Sequence, residues 1–157
     1  MRIRESYVAR RRFLCGMLGG GVATMGATVI GPLGSYVGNF HSEPPPDFVV
    51  YAKADYDVGP GQSKILRYGP VPVLVLRTPE PESSLKIFVA TCTHLDCIVA
   101  YRREENCIFC ACHEGRFDLA GKVVAGPPPA PLRTFHYTFR GDELVIALEK
   151  QNLEKAP

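Results

Sequence analysis

Two short blocks, Cys92-Thr93-His94-Leu95-Asp96-Cys97 and Cys110-Ala111-Cys112-His113, each supply a thiol, an imidazole and a spare cysteine. Fifteen residues lie between His94 and Cys110, so the fold must bring two loops together around one centre. The residues alone describe a Cys2His2 metal site, for which tetrahedral zinc is the simplest occupant. A zinc finger, however, separates its two thiolates from its two histidines, whereas here each half offers one of each. Six cysteines in 157 residues are many for a cytosolic chain and imply an oxidising compartment or a metal site.

The charge map supplies the compartment. Residues 1–12 hold five arginines and one acid, net +4, against +2 for the whole chain, so residues 13–157 carry −2. That total is too small to argue for a nucleic-acid partner. Phe13 to Phe40 contains no Asp, Glu, Lys, Arg or His, and the 25 residues Phe13 to Val37 are mostly Leu, Val, Ile, Met, Ala, Gly and Thr. As a helix they would rise roughly 37 Å, enough to cross a hydrocarbon core of about 30 Å. Eight glycines from Gly16 to Gly38 would each cost ~1 kcal/mol in a soluble helix. In lipid, small residues such as Gly16 and Gly20 allow close helix packing. The basic residues before the span place the N-terminus in the cytoplasm and the rest of the chain across a prokaryotic cell membrane. Arg10-Arg11-Arg12-Phe13-Leu14 resembles the twin-arginine export signal, and with no convincing cleavage pattern after the run it reads as an uncleaved anchor.

Three prolines in His41-Ser42-Glu43-Pro44-Pro45-Pro46-Asp47 exclude helix and strand and read as a semi-rigid hinge. The domain organisation is thus a basic leader over 1–12, a membrane anchor over 13–38, a hinge over 39–47 and a head over 48–157. In the head, β-rich runs over 48–52, 64–67, 71–77, 85–91, 98–102, 107–109, 122–125, 133–139 and 143–148 alternate with turn signals such as Gly59-Pro60-Gly61 and Arg140-Gly141-Asp142. Helical periodicity is absent, so the head reads as an all-β sandwich or partial barrel, with residues 149–157 as a solvated tail.

The two blocks resemble the Rieske iron–sulfur family, whose pattern is Cys-x-His-x-x-Cys followed by Cys-x-Cys-His. The resemblance implies an antiparallel β sandwich with an inserted cluster-binding subdomain over about 90–133 and a two-iron, two-sulfide cluster. By it Cys92 and Cys110 bind one iron and His94 and His113 the other, while Cys97 and Cys112 form a disulfide between the loops. Gly126-Pro127-Pro128-Pro129-Ala130-Pro131-Leu132 resembles the family's proline loop, which covers a third side of the cluster. Cys15 and Cys107 remain as a membrane-helix thiol and a strand residue, and His41 and His136 as structural histidines.

The resemblance further implies an electron-transfer subunit of a quinol–cytochrome c reductase, a cytochrome bc-type complex that is dimeric and membrane-embedded. His94 or His113 would take an electron and proton from quinol, and a c-type cytochrome would receive the electron after the head swings away from cytochrome b. High-potential members continue Cys-His-Gly-Ser-x-Tyr, where this chain has Cys112-His113-Glu114-Gly115-Arg116-Phe117. Both hydroxyl donors are missing, which implies a low-potential cluster matched to menaquinol. Glu114 adds an acid beside His113, or a solvated carboxylate beside Arg116. The same export signal and head would also suit a Rieske subunit of another exported oxidoreductase, such as arsenite oxidase.

Overall fold

The computed structural model describes residues 2–38 and 44–156, with side chains from Ala9 onward. It divides into two units, Met1–Ser42 and Glu43–Pro157. In the first, one helix, α1 (Arg2–Gly38), runs through both the expected leader and the expected anchor. Its segment Ala9–Gly38 is long and apolar enough to cross a membrane, and none of it is buried by protein. Thr24 and Thr28 turn their hydroxyls back onto the carbonyls of Gly20 and Met25, so the helix itself supplies partners for these two polar groups. Residues 39–43 of the expected hinge, with His41, lie outside the described residues.

Among the described residues the head contains ten strands: β1 (Val49–Ala52), β2 (Gln62–Tyr68), β3 (Val71–Arg77), β4 (Leu85–Val89), β5 (Ala100–Arg102), β6 (Cys107–Cys110), β7 (Gly115–Phe117), β8 (Val123–Ala125), β9 (His136–Arg140) and β10 (Glu143–Ala147). Two single-turn helices, α2 (Lys53–Tyr56) and α3 (Lys150–Leu153), complete it. The strands form three antiparallel sheets in the orders β1-β10-β9, β2-β3-β4 and β5-β6-β7-β8. The head is built of antiparallel sheets and follows an apolar N-terminal helix, as read from the sequence.

The middle sheet explains how the pieces join. Val73, Val75 and Ile87 face one core, shared with Tyr51, Tyr68, Phe135, Leu144 and Ile146. Leu74, Leu76 and Phe88 face a second core, shared with Val99, Ile108, Phe117, Leu132, Cys92 and Cys110. Alternation along a strand sends successive side chains to opposite faces, so the unbroken run Val73-Leu74-Val75-Leu76, all at 0% exposure, is what a strand covered on both sides requires. The chain leaves the middle sheet after β4 and returns through Arg133, whose carbonyl accepts the Val89 amide. That neck separates the insertion carrying both Cys/His blocks from the rest.

Two sequence expectations change. The strand β7 was not anticipated, because Gly115-Arg116-Phe117 reads as part of the second metal-binding block. Residues 149–156 are not a solvated tail: α3 packs on β9 and β10, Ala156 is buried, and Val145 on that side is only 1% exposed. The four consecutive apolar residues Leu144-Val145-Ile146-Ala147 need a cover on each face, and the tail provides the second. Arg140 fastens it by donating to the carbonyls of Ala156 at 2.7 Å and Leu153 at 3.3 Å.

Hydrogen bonds from a charged donor contribute about 1.5–3 kcal/mol. Arg140→Ala is therefore expected to lower head stability by about 1–2 kcal/mol, discounted for partial exposure, read as a lower urea midpoint. A pH effect follows from the core tyrosines. Burial, reinforced by Tyr68 and Asp55, pushes the Tyr51 phenol up to about 12, and burial also raises Tyr68 and Tyr101. The folded state holds these protons more tightly than the unfolded chain, whose phenols ionise near ~10. Stability is therefore complete below that pH and is lost as pH rises through about 12. Thermal midpoints should be flat up to about pH 10 and then fall, and Tyr51→Phe should flatten the fall.

Candidate metal centre

Each Cys/His block is a tight turn fixed by backbone bonds. In the first, the Cys92 amide donates to the Cys97 carbonyl and the Asp96 amide to the Cys92 carbonyl, at 2.8 and 3.1 Å, and Asp96 takes a left-handed φ of 53°. The second block is the hairpin loop between β6 and β7, closed by the pair Cys110 and Gly115, with Glu114 at a φ of 56°. Cys97 and Cys112 are joined in a disulfide, with Cα atoms 6.6 Å apart. The rings of His94 and His113, one from each loop, meet edge to face with centroids 4.8 Å apart.

Depth sorts the donors. Cys92 and Cys110 are free thiols, each 2% exposed and part of the second core. His94 is half-buried and His113 exposed. The sulfurs of Cys97, Cys110 and Cys112 lie within 4.8 Å of one another, but two of them are spent on the disulfide, so Cys110 is the free thiol of the three. Burial raises the Cys92 thiol, while the backbone amides of His94 and Leu95 donate to its sulfur and pull the other way. Amides aimed at a buried sulfur fit a thiolate whose charge is shared with a metal. Two inward thiols beside two outward imidazoles thus suit a binuclear iron–sulfur group with unlike ends.

Three contacts around these loops were invisible in the sequence. The Thr93 hydroxyl donates to the Ala130 carbonyl at 2.6 Å, tying the first loop to the proline segment. Pro128 is the buried proline of that segment and stands against Gly115 of the second loop. Arg102 and Arg116 both approach the Phe109 ring, at 3.5 and 5.5 Å from its centroid, and both pair with Glu105. The two guanidiniums hold the Glu105 carboxyl below its usual range, Arg102 by the larger effect. Arg116 thus pairs with Glu105 across the sheet rather than with the adjacent Glu114, which is exposed. The remaining cysteines behave differently: Cys107 is buried in β6, where burial and Glu105 raise its thiol, and Cys15 is exposed on α1.

The disulfide closes a loop of 15 residues, for which chain entropy suggests about 3 kcal/mol. Replacing Cys97 and Cys112 together by alanine is expected to lower stability by about that amount, measured as the shift in unfolding free energy against the unreduced parent.

Comparison with known proteins places these features. Residues 48–136 match the Rieske [2Fe-2S] domain. The cytochrome b6-f complex iron-sulfur subunit of Chlorobaculum thiosulfatiphilum is 31% identical over 144 residues, covering 88% of this chain and 75% of that one. The corresponding subunit of Trichodesmium erythraeum is 45% identical over 57 residues, 36% of this chain and 32% of that one. Among solved structures, a chain of a hyperthermophilic respiratory Complex III shares the fold, with a TM-score of 0.52 and 23% identity over 79% of this chain and 96% of that chain.

Proposed function

The chain belongs to the Rieske [2Fe-2S] family, and from that premise we propose that it is the iron–sulfur subunit of a membrane-bound quinol:cytochrome c oxidoreductase of the bc or b6f type. The observation that carries the reading is the edge-to-face meeting of half-buried His94 with exposed His113, one from each loop, beside two buried thiols, on a chain with an apolar helix. Cys92 and Cys110 would hold one iron and His94 and His113 the other. The [2Fe-2S] group supplies a one-electron acceptor.

The protein's own residues supply the rest. A ring nitrogen of His94 or His113 accepts a hydrogen bond from the quinol hydroxyl and holds the proton that leaves as quinol is oxidised. Leu95, 62% exposed beside His94, gives the quinol ring an apolar neighbour. Cys92 and Cys110 are kept dry by the second core. The leader over 1–12, anchor over 13–38 and hinge over 39–47 would tether the head, 48–157, on the extracytoplasmic face after twin-arginine export. Cytochrome b and a c-type cytochrome are the partners in a dimeric complex.

Gly115 and Phe117 carry no hydroxyl where high-potential members present two donors. A donor at these positions would favour the more negative reduced state, so its loss lowers the potential and suits menaquinol. A redox titration of the purified protein should give a midpoint in the lower half of the roughly −150 to +300 mV Rieske range; a value near the top would remove menaquinol from the proposal. Isolation from native membranes should bring down a multi-span cytochrome b. A molybdenum subunit in its place would overturn the bc-type assignment. His113→Ala should abolish the visible and electron spin resonance signatures of the cluster.

A further inference from the structure

Gly115 is unusual among the glycines of the insertion. Gly121 and Gly126 have φ of 80° and 90°, where glycine is favoured for its backbone freedom, whereas Gly115 is outside the left-handed region. What the site uses at Gly115 is therefore the missing side chain. A Cβ there would lie 2.7 Å from Pro128 Cγ and 3.2 Å from Pro128 Cδ. A Cβ essentially never stands within 3.0 Å of a non-bonded heavy atom, so something must move.

Pro128 is poorly placed to move. Its ring is closed and cannot swing aside like the end of a long side chain. Gly126 brings the start of the proline segment against Gly115, since a Cβ on Gly126 would sit 2.8 Å from Gly115 Cα and 3.0 Å from the Glu114 carbonyl. Ala130 is held through its carbonyl by Thr93, and the Leu132 amide is bonded to the Gly121 carbonyl. The segment is fastened on both sides of Pro128. The same Cβ on residue 115 would be 3.5 Å from Cys110 Cβ, which brings a hydroxyl at this position within reach of the Cys110 sulfur.

We propose that Gly115 and Pro128 are a matched pair of positioning residues, in which the Pro128 ring fills the place that a side chain at 115 would need. Residue 115 can present a hydroxyl to the Cys110 side of the site only when residue 128 gives up its ring. A side chain at 115 alone lifts the proline segment and exposes Cys110 to water. This rests on the assignment of Cys92, Cys110, His94 and His113 as cluster ligands, and it makes the low potential a property of two facing residues.

The test compares full-length parent, Gly115→Ser, Pro128→Ala and the double variant in detergent. Midpoints are read by redox titration, air bleaching by the visible spectrum, and the hold on the proline segment by hydrogen exchange of the Leu132 amide, which is bonded to the Gly121 carbonyl, on both loaded and cluster-free protein. Gly115→Ser should speed exchange in that segment about tenfold and hasten bleaching, without raising the midpoint. The double variant should regain slow exchange and shift the reduction equilibrium about tenfold towards the reduced form, 59 mV for one electron. Pro128→Ala alone, which adds no hydroxyl donor, should not raise the midpoint.

A single Gly115→Ser that raises the midpoint with parental exchange would overturn the pairing, as would a double variant no better than the single. If Gly115→Ser fails to load, recovery of loading in the double variant supports the pairing and its failure refutes it. A parent without a Rieske spectrum would instead refute the ligand assignment, while the exchange comparison on cluster-free protein still reads the steric pairing.

Discussion

The head depends on one strand having no solvent side. β3 sends Val73 and Val75 into one core and Leu74 and Leu76 into the other, so the sheet that stabilises the base of the molecule is also the floor of the metal-binding insertion. A fully buried aliphatic side chain contributes about 1.5–3 kcal/mol, and these four are completely buried. The insertion therefore rests on a wall that is already rigid for other reasons. Cys92 and Cys110 belong to the second core as packed residues, which keeps them in place whether or not they hold metal. The site is built into the packing rather than hung from it.

Order along the sequence becomes order in depth. Cys92 follows closely on β4, and Cys110 is the last residue of β6, so each free thiol sits at the final buried position before its loop turns outward. The histidines come two and three residues later, past the point where the chain leaves the core. Asp96 and Glu114 then take the left-handed turns that send the chain back. The disulfide joins the returning limb of the first loop, at Cys97, to the outgoing limb of the second, at Cys112, holding the imidazoles close while the thiols are held by the core. Soft donors end up dry and proton-carrying donors wet, an arrangement suited to chemistry in which an electron passes inward and a proton stays at the surface.

Much of this was legible because the strongest signals are local. β-rich runs set between turn signals marked most of the strands, an uncharged run marked α1, and four donors with two spare cysteines at fixed spacing marked the candidate site. What stayed hidden depends on contacts between distant residues. Thr93 reaches Ala130 across 37 positions and Arg116 reaches Glu105 across 11, and no periodicity announces either. β7 was hidden for a different reason: Gly115-Arg116-Phe117 is three residues long and shares its sequence with the metal-binding motif, so one signal masked another. The tail was misread because Lys150, Gln151, Glu154 and Lys155 look solvated one by one. The demand for cover came from Val145 on a neighbouring strand, two-sided burial that a window over the tail does not contain.

The boundary between linker and head shows the same division. Three prolines mark where an extended segment lies, but composition cannot say where it becomes part of the folded unit. The structure answers through Asp47. Its carbonyl accepts the Tyr68 hydroxyl at 2.7 Å, and its carboxylate meets Lys155 at 2.9 Å and Asn152 at 3.4 Å. The Lys155 pair is more than half exposed on both sides, and exposed pairs contribute about 0–1 kcal/mol, so it is the weaker fastening. Tyr68 is 1% exposed and packs on Phe135; its hydroxyl cannot release the Asp47 carbonyl without leaving a buried donor unpaired, which costs about 1–3 kcal/mol. Pro46 lies against the side-chain-free face of Gly69 just before this point. The head-side end of the proline segment is thus set by an aromatic residue of the main core rather than by the prolines that make the segment visible.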